Sequence, residues 1–288
     1  MNPAPWLIRV AAALLLSSGV AAASANANPT SPVNPADGAY SPTRGQQGKD
    51  VIWIPTPAGL VEKMLEAARV TPRDRVVDLG AGDGIIAITA AGKFGAQAVG
   101  IEYNPKLAEY ARRKAAEAGV ADRVRILTGD LFKEDFSFAT VVTLYLYPDL
   151  NMRLRPTLLA MKPGTRVVSH AFTMGDWEPD ETMSYQSARA YLWVVPARID
   201  GDWTLNGLEG GPVRLRFRQS FQQIGGMLTR DGESVPLVGA RLRGDEVSFK
   251  IVAQGRQEID FSGRVVGQEI RGTVTVDGAG TPVRALRQ

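Results

Sequence analysis

Hydrophobic positions change their period along the chain. Behind the pair Thr56-Pro57, Leu60, Val61, Met64, Leu65 and Ala68 recur at helical spacing, and a hydroxyl N-cap followed by a first-turn proline predicts a helix reaching about Arg69. Short apolar runs then alternate with helical patterns: strand Arg75–Leu79, helix Ile85–Lys93, strand Ala98–Glu102 and helix Pro105–Ala118 closed by Gly119. The unit repeats as strands Val124–Thr128 and Thr140–Leu144, helix Asp149–Met161 stopped by Pro163-Gly164, and strand Thr165–Ser169. Strands separated by helices pair in parallel through right-handed crossovers, and ligands of such sheets sit beyond the strand C-termini.

From about Pro196 the helical period disappears. Alternating runs at Val213–Arg218, Ile224–Thr229, Ala240–Arg243, Glu246–Val252, Glu258–Arg264 and Glu269–Val276, punctuated by glycines, predict an antiparallel sheet, sandwich or small barrel. At the other end, Arg9 precedes the apolar run Val10–Val20, followed by Ala23-Ser24-Ala25 and Ala25-Asn26-Ala27 as cleavage sites. The expected organisation is a signal peptide over 1–25, an unstructured Pro- and Gly-rich leader over 26–50, an α/β domain over 51–195 and a β domain over 196–288.

Composition narrows the chemistry. Across 288 residues, 44% hydrophobic and 22% charged residues match a folded globular protein. A net charge of +3 gives no reason to expect nucleic acid as a partner. The lack of cysteine excludes disulfides, thiolate metal sites and a lipoprotein anchor, and the single histidine, His170, excludes a His-rich metal site. No metal is therefore expected, nor stable membrane insertion once the leader is cleaved, which points to a periplasmic or secreted product.

The main chemical signal is Val76-Val77-Asp78-Leu79-Gly80-Ala81-Gly82-Asp83-Gly84, which sets three alternating glycines between a buried strand and a helix. A dinucleotide fingerprint needs its third glycine one residue later, and a carboxylate at Asp78 would repel a pyrophosphate. Asp78 instead suits an α-ammonium group. Glu102, 20 residues after Gly82, suits the two hydroxyls of a ribose. Asp130, after the third strand, suits an exocyclic adenine amine, with Leu131 or Phe132 packed on the ring.

This set resembles the class I S-adenosylmethionine-dependent methyltransferases in the order and spacing of Asp78-x-Gly80-x-Gly82-x-Gly84, Glu102 and Gly129-Asp130, over about residues 50 to 195. Ile54-Pro55-Thr56-Pro57, the glycine segment and Gly100-Ile-Glu-Tyr-Asn-Pro105 are further similar to small protein-lysine methyltransferases related to those that modify the mitochondrial ATP synthase c-subunit. The resemblance implies a Rossmann-like sheet of seven strands with helices on both faces, and S-adenosyl-L-methionine bound by Thr56, Asp78, Gly80, Ala81, Gly82, Glu102, Tyr103, Asp130 and Leu131. Met183–Tyr185 and Ala190–Val195 would be its last two strands.

The acceptor side falls on Thr143-Leu144-Tyr145-Leu146-Tyr147-Pro148, after the fourth strand. Tyr145 and Tyr147 are the catalytic candidates, since their rings attract a methylated cation and their hydroxyls orient an amine. An acceptor protein carrying a lysine is the expected partner, with a small-molecule acceptor or a secreted, non-catalytic binding protein as alternatives. Export stands in tension with a methyl donor made in the cytosol. Trp53 and Trp177 read as core or interface residues, with closure over the site as the alternative, and His170 reads as a structural histidine.

Overall fold

The structure, a computed structural model, describes residues 40–252 and 258–288. The expected signal peptide and leader residues 26–39 lie outside the described residues. Residues 40–50, expected to be unstructured, instead form a strap. Gly45 N donates to Trp53 O (2.8 Å), Trp53 N to Gln46 O (2.9 Å) and Gly48 N to Val51 O (2.9 Å). Arg113 ties down the strap's start by donating to Tyr40 O at 2.9 Å, and the Tyr40 ring meets Tyr110 edge-on. Docking against another element orders this segment, and local composition carries no trace of that.

Seven strands form the first sheet: β1 (Arg75–Leu79), β2 (Gln97–Glu102), β3 (Val124–Thr128), β4 (Val141–Leu144), β5 (Arg166–His170), β6 (Glu181–Tyr185) and β7 (Ala188–Val194). Their order is β3-β2-β1-β4-β5-β7-β6, parallel except for β7, which runs antiparallel to both neighbours. Helices α1 (Ala58–Ala67), α2 (Ile85–Phe94) and α3 (Pro105–Glu117) pack Leu60, Met64, Ala87, Ala90, Ala108 and Ala111 with Val76, Ala98 and Ile126. The opposite face receives Leu150, Leu154 and Leu158 of α4 (Pro148–Leu159), which pack with Val77, Leu79, Val142, Leu144 and Trp193. The period-2 alternation Val76/Val77 thus assigns one strand to two cores.

The start of α1 differs from expectation. Its N-cap is Pro57, with no side-chain capping bond, and the Thr56 hydroxyl lies 3.0 Å from His170 Nδ1 instead. A partner on the neighbouring strand end has replaced the local cap. At α3 the sequence rule holds, because Asn104 Oδ1 accepts from Lys106 N and Leu107 N ahead of Pro105 at the first turn.

The C-terminal half is one antiparallel sheet of nine strands: β8 (Gly201–Asn206), β9 (Val213–Ser220), β10 (Gln223–Arg230), β11 (Glu233–Pro236), β12 (Val238–Arg243), β13 (Glu246–Val252), β14 (Glu258–Val266), β15 (Glu269–Val276) and β16 (Ala279–Arg287). It curls into a nearly closed barrel around Trp203, Phe217, Phe249 and Phe261. Its β9–β10 turn meets the first domain. There Trp177 Nε1 donates to Gln222 Oε1 (3.0 Å), Gln222 Nε2 donates to Glu178 O (2.7 Å), and Phe221 stacks on Trp177.

The base of the first sheet is tied by Asp74, which is 7% exposed. It accepts from Thr71 N (2.8 Å), Thr140 Oγ1 (2.7 Å) and the Arg166 guanidinium. Burial alone would raise its carboxyl, but Arg166, Thr140 and Thr71 together hold it below the usual carboxylate range. Asp74→Ala leaves a partly buried guanidinium and the Thr140 and Thr71 donors without their acceptor and should cost about 2 kcal/mol in urea unfolding. A cost below about 1 kcal/mol would place this pair with solvent-screened surface bridges.

Candidate active site

Strand order reverses between β1 and β4, so the crossovers from these neighbours leave in opposite directions and open a crevice at their C-terminal ends. The turn after β1 approaches that crevice as bare main chain. Gly80, Gly82 and Gly84 have φ of 78°, 56° and 78°, a region that L side chains rarely enter. Gly80 N and Ala81 N both donate to Ile101 O, at 2.9 and 3.0 Å, which fastens the turn to β2. A Cβ on Gly82 would sit 2.6 Å from Trp53 Nε1 of the strap, so close approach as well as conformation requires glycine there.

All the residues anticipated at the donor site line this one cleft: Thr56, Asp78, Gly80, Ala81, Gly82, Glu102, Tyr103, Asp130 and Leu131, together with Tyr145 and Tyr147. Asp78 is buried at the end of β1, and Thr143 Oγ1 donates to its Oδ1 at 2.7 Å. Burial, reinforced by the charges of Asp83 and Glu102, pushes its carboxyl up to about 7. A cationic group beside it would restore the ionised form. Asp83 is turned to structural use, bonded by Lys114 Nζ at 2.9 Å.

Glu102 is braced by main-chain donors, with Gly82 N at 2.9 Å from Oε2 and Asn104 N at 2.8 Å from Oε1. Desolvation nevertheless raises its carboxyl. Each carboxylate oxygen retains a lone pair, so the two can still accept from a pair of adjacent hydroxyls. Asp130 closes the far end. It accepts from Phe132 N (3.0 Å) and from Lys49 Nζ (3.0 Å), and these donors hold its carboxyl below the usual range. The Lys49 ammonium also lies 4.8 Å from the Tyr103 ring centre.

At the other end, Tyr145 and Tyr147 flank Leu146 on the segment leaving β4. Tyr145 is partly buried, which raises its hydroxyl, so at neutral pH it is a hydrogen-bonding group and no base. Its ring lies 3.8 Å from that of His170, and Phe172 lies within stacking range. Burial pushes His170 down to about 4, so its imidazole is neutral. Lys49 and Phe172 escape sequence reading as contributors. Their placement comes from a docked strap and a loop after β5, and neither has a spacing signal. The cleft therefore combines an acidic end shaped for an ammonium group, a diol and an amine with an aromatic end. Among the described residues no group of three His, Asp or Glu side chains gathers as metal ligands.

A family model described as the ANTKMT methyltransferase domain matches residues 78–181. A protein-lysine N-methyltransferase of Saccharolobus islandicus is 42% identical over 151 residues, covering 50% of this chain and 94% of the relative. The mouse lysine N-methyltransferase named for the ATP synthase c-subunit is 36% identical over 131 residues, covering 45% of this chain and 52% of the relative. The chain thus matches about half the length of that mouse relative. Among solved structures, a Salinibacter ruber protein titled an RNA methyltransferase, in complex with S-adenosyl-L-homocysteine, is 52% identical with a TM-score of 0.50, over 51% of this chain and 96% of that one. The methyl donor is S-adenosyl-L-methionine, and the chain is an enzyme of the protein-lysine N-methyltransferase family within the class I S-adenosylmethionine-dependent methyltransferases.

Proposed function

We propose that the enzyme methylates the side-chain amine of a lysine on an acceptor protein, with Tyr145 and Tyr147 as the residues that receive it. The observation carrying this reading is the polarity of the cleft: carboxylates at the donor end, then neutral aromatic rings where the acceptor must arrive. When bound, the donor supplies an electrophilic methyl group on a sulfonium sulfur, so the protein's part is alignment and exclusion of water. Asp78 faces the α-ammonium group of the donor, Thr56 and the main chain of Gly80, Ala81 and Gly82 its carboxylate end, Glu102 the ribose, and Asp130, Leu131 and Tyr103 the adenine. The Tyr145 hydroxyl orients the lone pair of the amine once it has lost its proton to solvent, and the ring faces of Tyr145 and Tyr147 hold the methylated ammonium that forms as the sulfonium becomes a thioether. The names of the Saccharolobus and mouse relatives support lysine as acceptor.

The same proposal keeps the export reading of residues 1–25, supported by the Arg9-flanked apolar run and its small-residue cleavage sites. It requires donor to be present where the exported enzyme acts. Protein recovered from the secreted or periplasmic fraction should begin at Asn26 or Asn28, and a product beginning at Met1 would remove this part.

Calorimetric titration with S-adenosyl-L-homocysteine tests the donor assignments. Glu102→Ala should weaken binding at least about tenfold, as expected for lost hydrogen bonds to a charged group. Affinity of the unaltered enzyme should fall as pH drops through about 7, because the protonated Asp78 carboxyl no longer attracts the ammonium group. Asp78→Asn should bind weakly with that pH dependence flattened. Unchanged affinity in both variants would overturn the assignments.

Incubating an extract with enzyme and isotopically labelled donor, then locating the label by mass spectrometry, tests the acceptor. Label on lysine Nε atoms of protein is expected. Label confined to RNA or to small molecules would refute the lysine reading.

A further inference from the structure

The turn that follows β5 is strained. Ala171 has φ of 68° although it carries a Cβ, and Phe172 N donates to His170 O at 2.9 Å, closing a γ-turn that chains rarely adopt. Such a conformation persists only where its surroundings impose it. Ala171 N is held by Arg189 O at 2.8 Å. From α4, the fully buried Asn151 directs Nδ2 at Ser169 Oγ (3.3 Å), Phe172 O (3.4 Å) and Thr173 O (3.3 Å), while its Oδ1 has no partner. One helical turn on, Arg155 donates to Met174 O at 2.9 Å.

This bracing fixes where one side chain goes. The Phe172 ring lies nearly parallel to Tyr145, at 6.3 Å and 28°, and edge-on to Tyr147, at 6.1 Å and 71°. All three rings line the cleft, and Phe172 is only partly buried there. Core packing does not account for the arrangement, because a strained main chain is being used to hold an aromatic ring that stays partly exposed to the cleft. Ring faces gathered around a partly desolvated space attract organic cations.

We propose that Phe172 is the third wall of an ammonium subsite shared with Tyr145 and Tyr147, and that Asn151 is the positioning residue that holds it there. The inference rests on the amine-acceptor reading above and adds the residue that sets the preference for a charged side chain. Phe172 supplies no hydrogen bond, so its contribution is selectivity for positive charge over shape. Asn151 acts only through the turn it braces.

Choline and its uncharged isostere 3,3-dimethylbutan-1-ol provide the test, titrated into the full chain saturated with S-adenosyl-L-homocysteine. Choline should bind at least about fivefold more tightly than the isostere, within the range of a partly desolvated cation–π contact. Phe172→Leu should lower that preference although Tyr145 and Tyr147 remain, Phe172→Tyr should keep it, and both should retain affinity for S-adenosyl-L-homocysteine. Asn151→Ala should weaken choline binding about as much as Phe172→Ala, and the double variant should show no further loss. Equal binding of choline and isostere, or an unchanged preference in Phe172→Leu, overturns the subsite. Additive losses in the double variant overturn the role of Asn151. An enzyme that labels protein lysine yet shows no choline preference refutes this inference alone, whereas one that labels no amine refutes the acceptor reading beneath it.

Discussion

Right-handed crossovers leaving β1 on one side and β4 on the other cannot cover the ends of both strands, and this topological gap is what the rest of the molecule is arranged around. The gap exposes main chain, and main chain is useful to a ligand only if side chains stand clear of it. Glycines in the left-handed region meet that need after β1, and Gly100 meets it on β2, where a Cβ would press to 2.7 Å from Ala81 Cβ. One constraint therefore links the bare loop, the neighbouring strand and the carboxylates at the strand ends.

Charge is distributed along the crevice by burial as much as by residue type. Three carboxylates converge at one end, yet the deepest of them, Asp78, pays for its desolvation with a weakened hold on its own charge. Asp130 lies nearer solvent, has a cation and a main-chain donor, and stays firmly ionised. At the aromatic end the rings themselves carry no formal charge at neutral pH, since burial keeps the Tyr145 hydroxyl and the His170 imidazole neutral, although the Arg44 guanidinium lies near enough to act on Tyr145. The cleft thus grades from carboxylates at one end to aromatic rings at the other.

Much of this is readable in the sequence because the relevant physics is local. Alternation and helical spacing mark β3, β13 and β15 at their observed bounds, and the glycine run, Glu102 and Asp130 announce themselves by their distances from β1. Wherever a distant partner decides, local reading fails. Thr56 has the sequence of a cap but bonds to His170, 114 residues away, and the strap has the composition of a linker but is docked on α3. Strand β16 is hidden by Gly280 and Pro282. Yet Pro282 pairs with Thr273 on one side only, since β8 reaches no further along β16 than Arg284, so its missing N–H costs the sheet nothing. Strand β8 offers only Trp203 and Leu205 as apolar markers and β11 only Val235, and Phe172 carries no motif because a strained turn, rather than a spacing, puts it in place.

The contact between the two halves of the described chain changes how the barrel should be regarded. Trp177 is wholly enclosed, packed by Trp193 from its own domain and by Phe221 from the barrel, and its indole N–H has its acceptor, Gln222, only on the barrel side. Trp177 also lies five residues beyond the wall formed by Phe172. The barrel is consequently no detachable appendage, because shearing it away would expose the enclosed Trp177 ring and leave its indole N–H without its acceptor. Two hydrogen bonds through Gln222 and one ring stack thus make the β9–β10 turn a fastening between sheet and barrel.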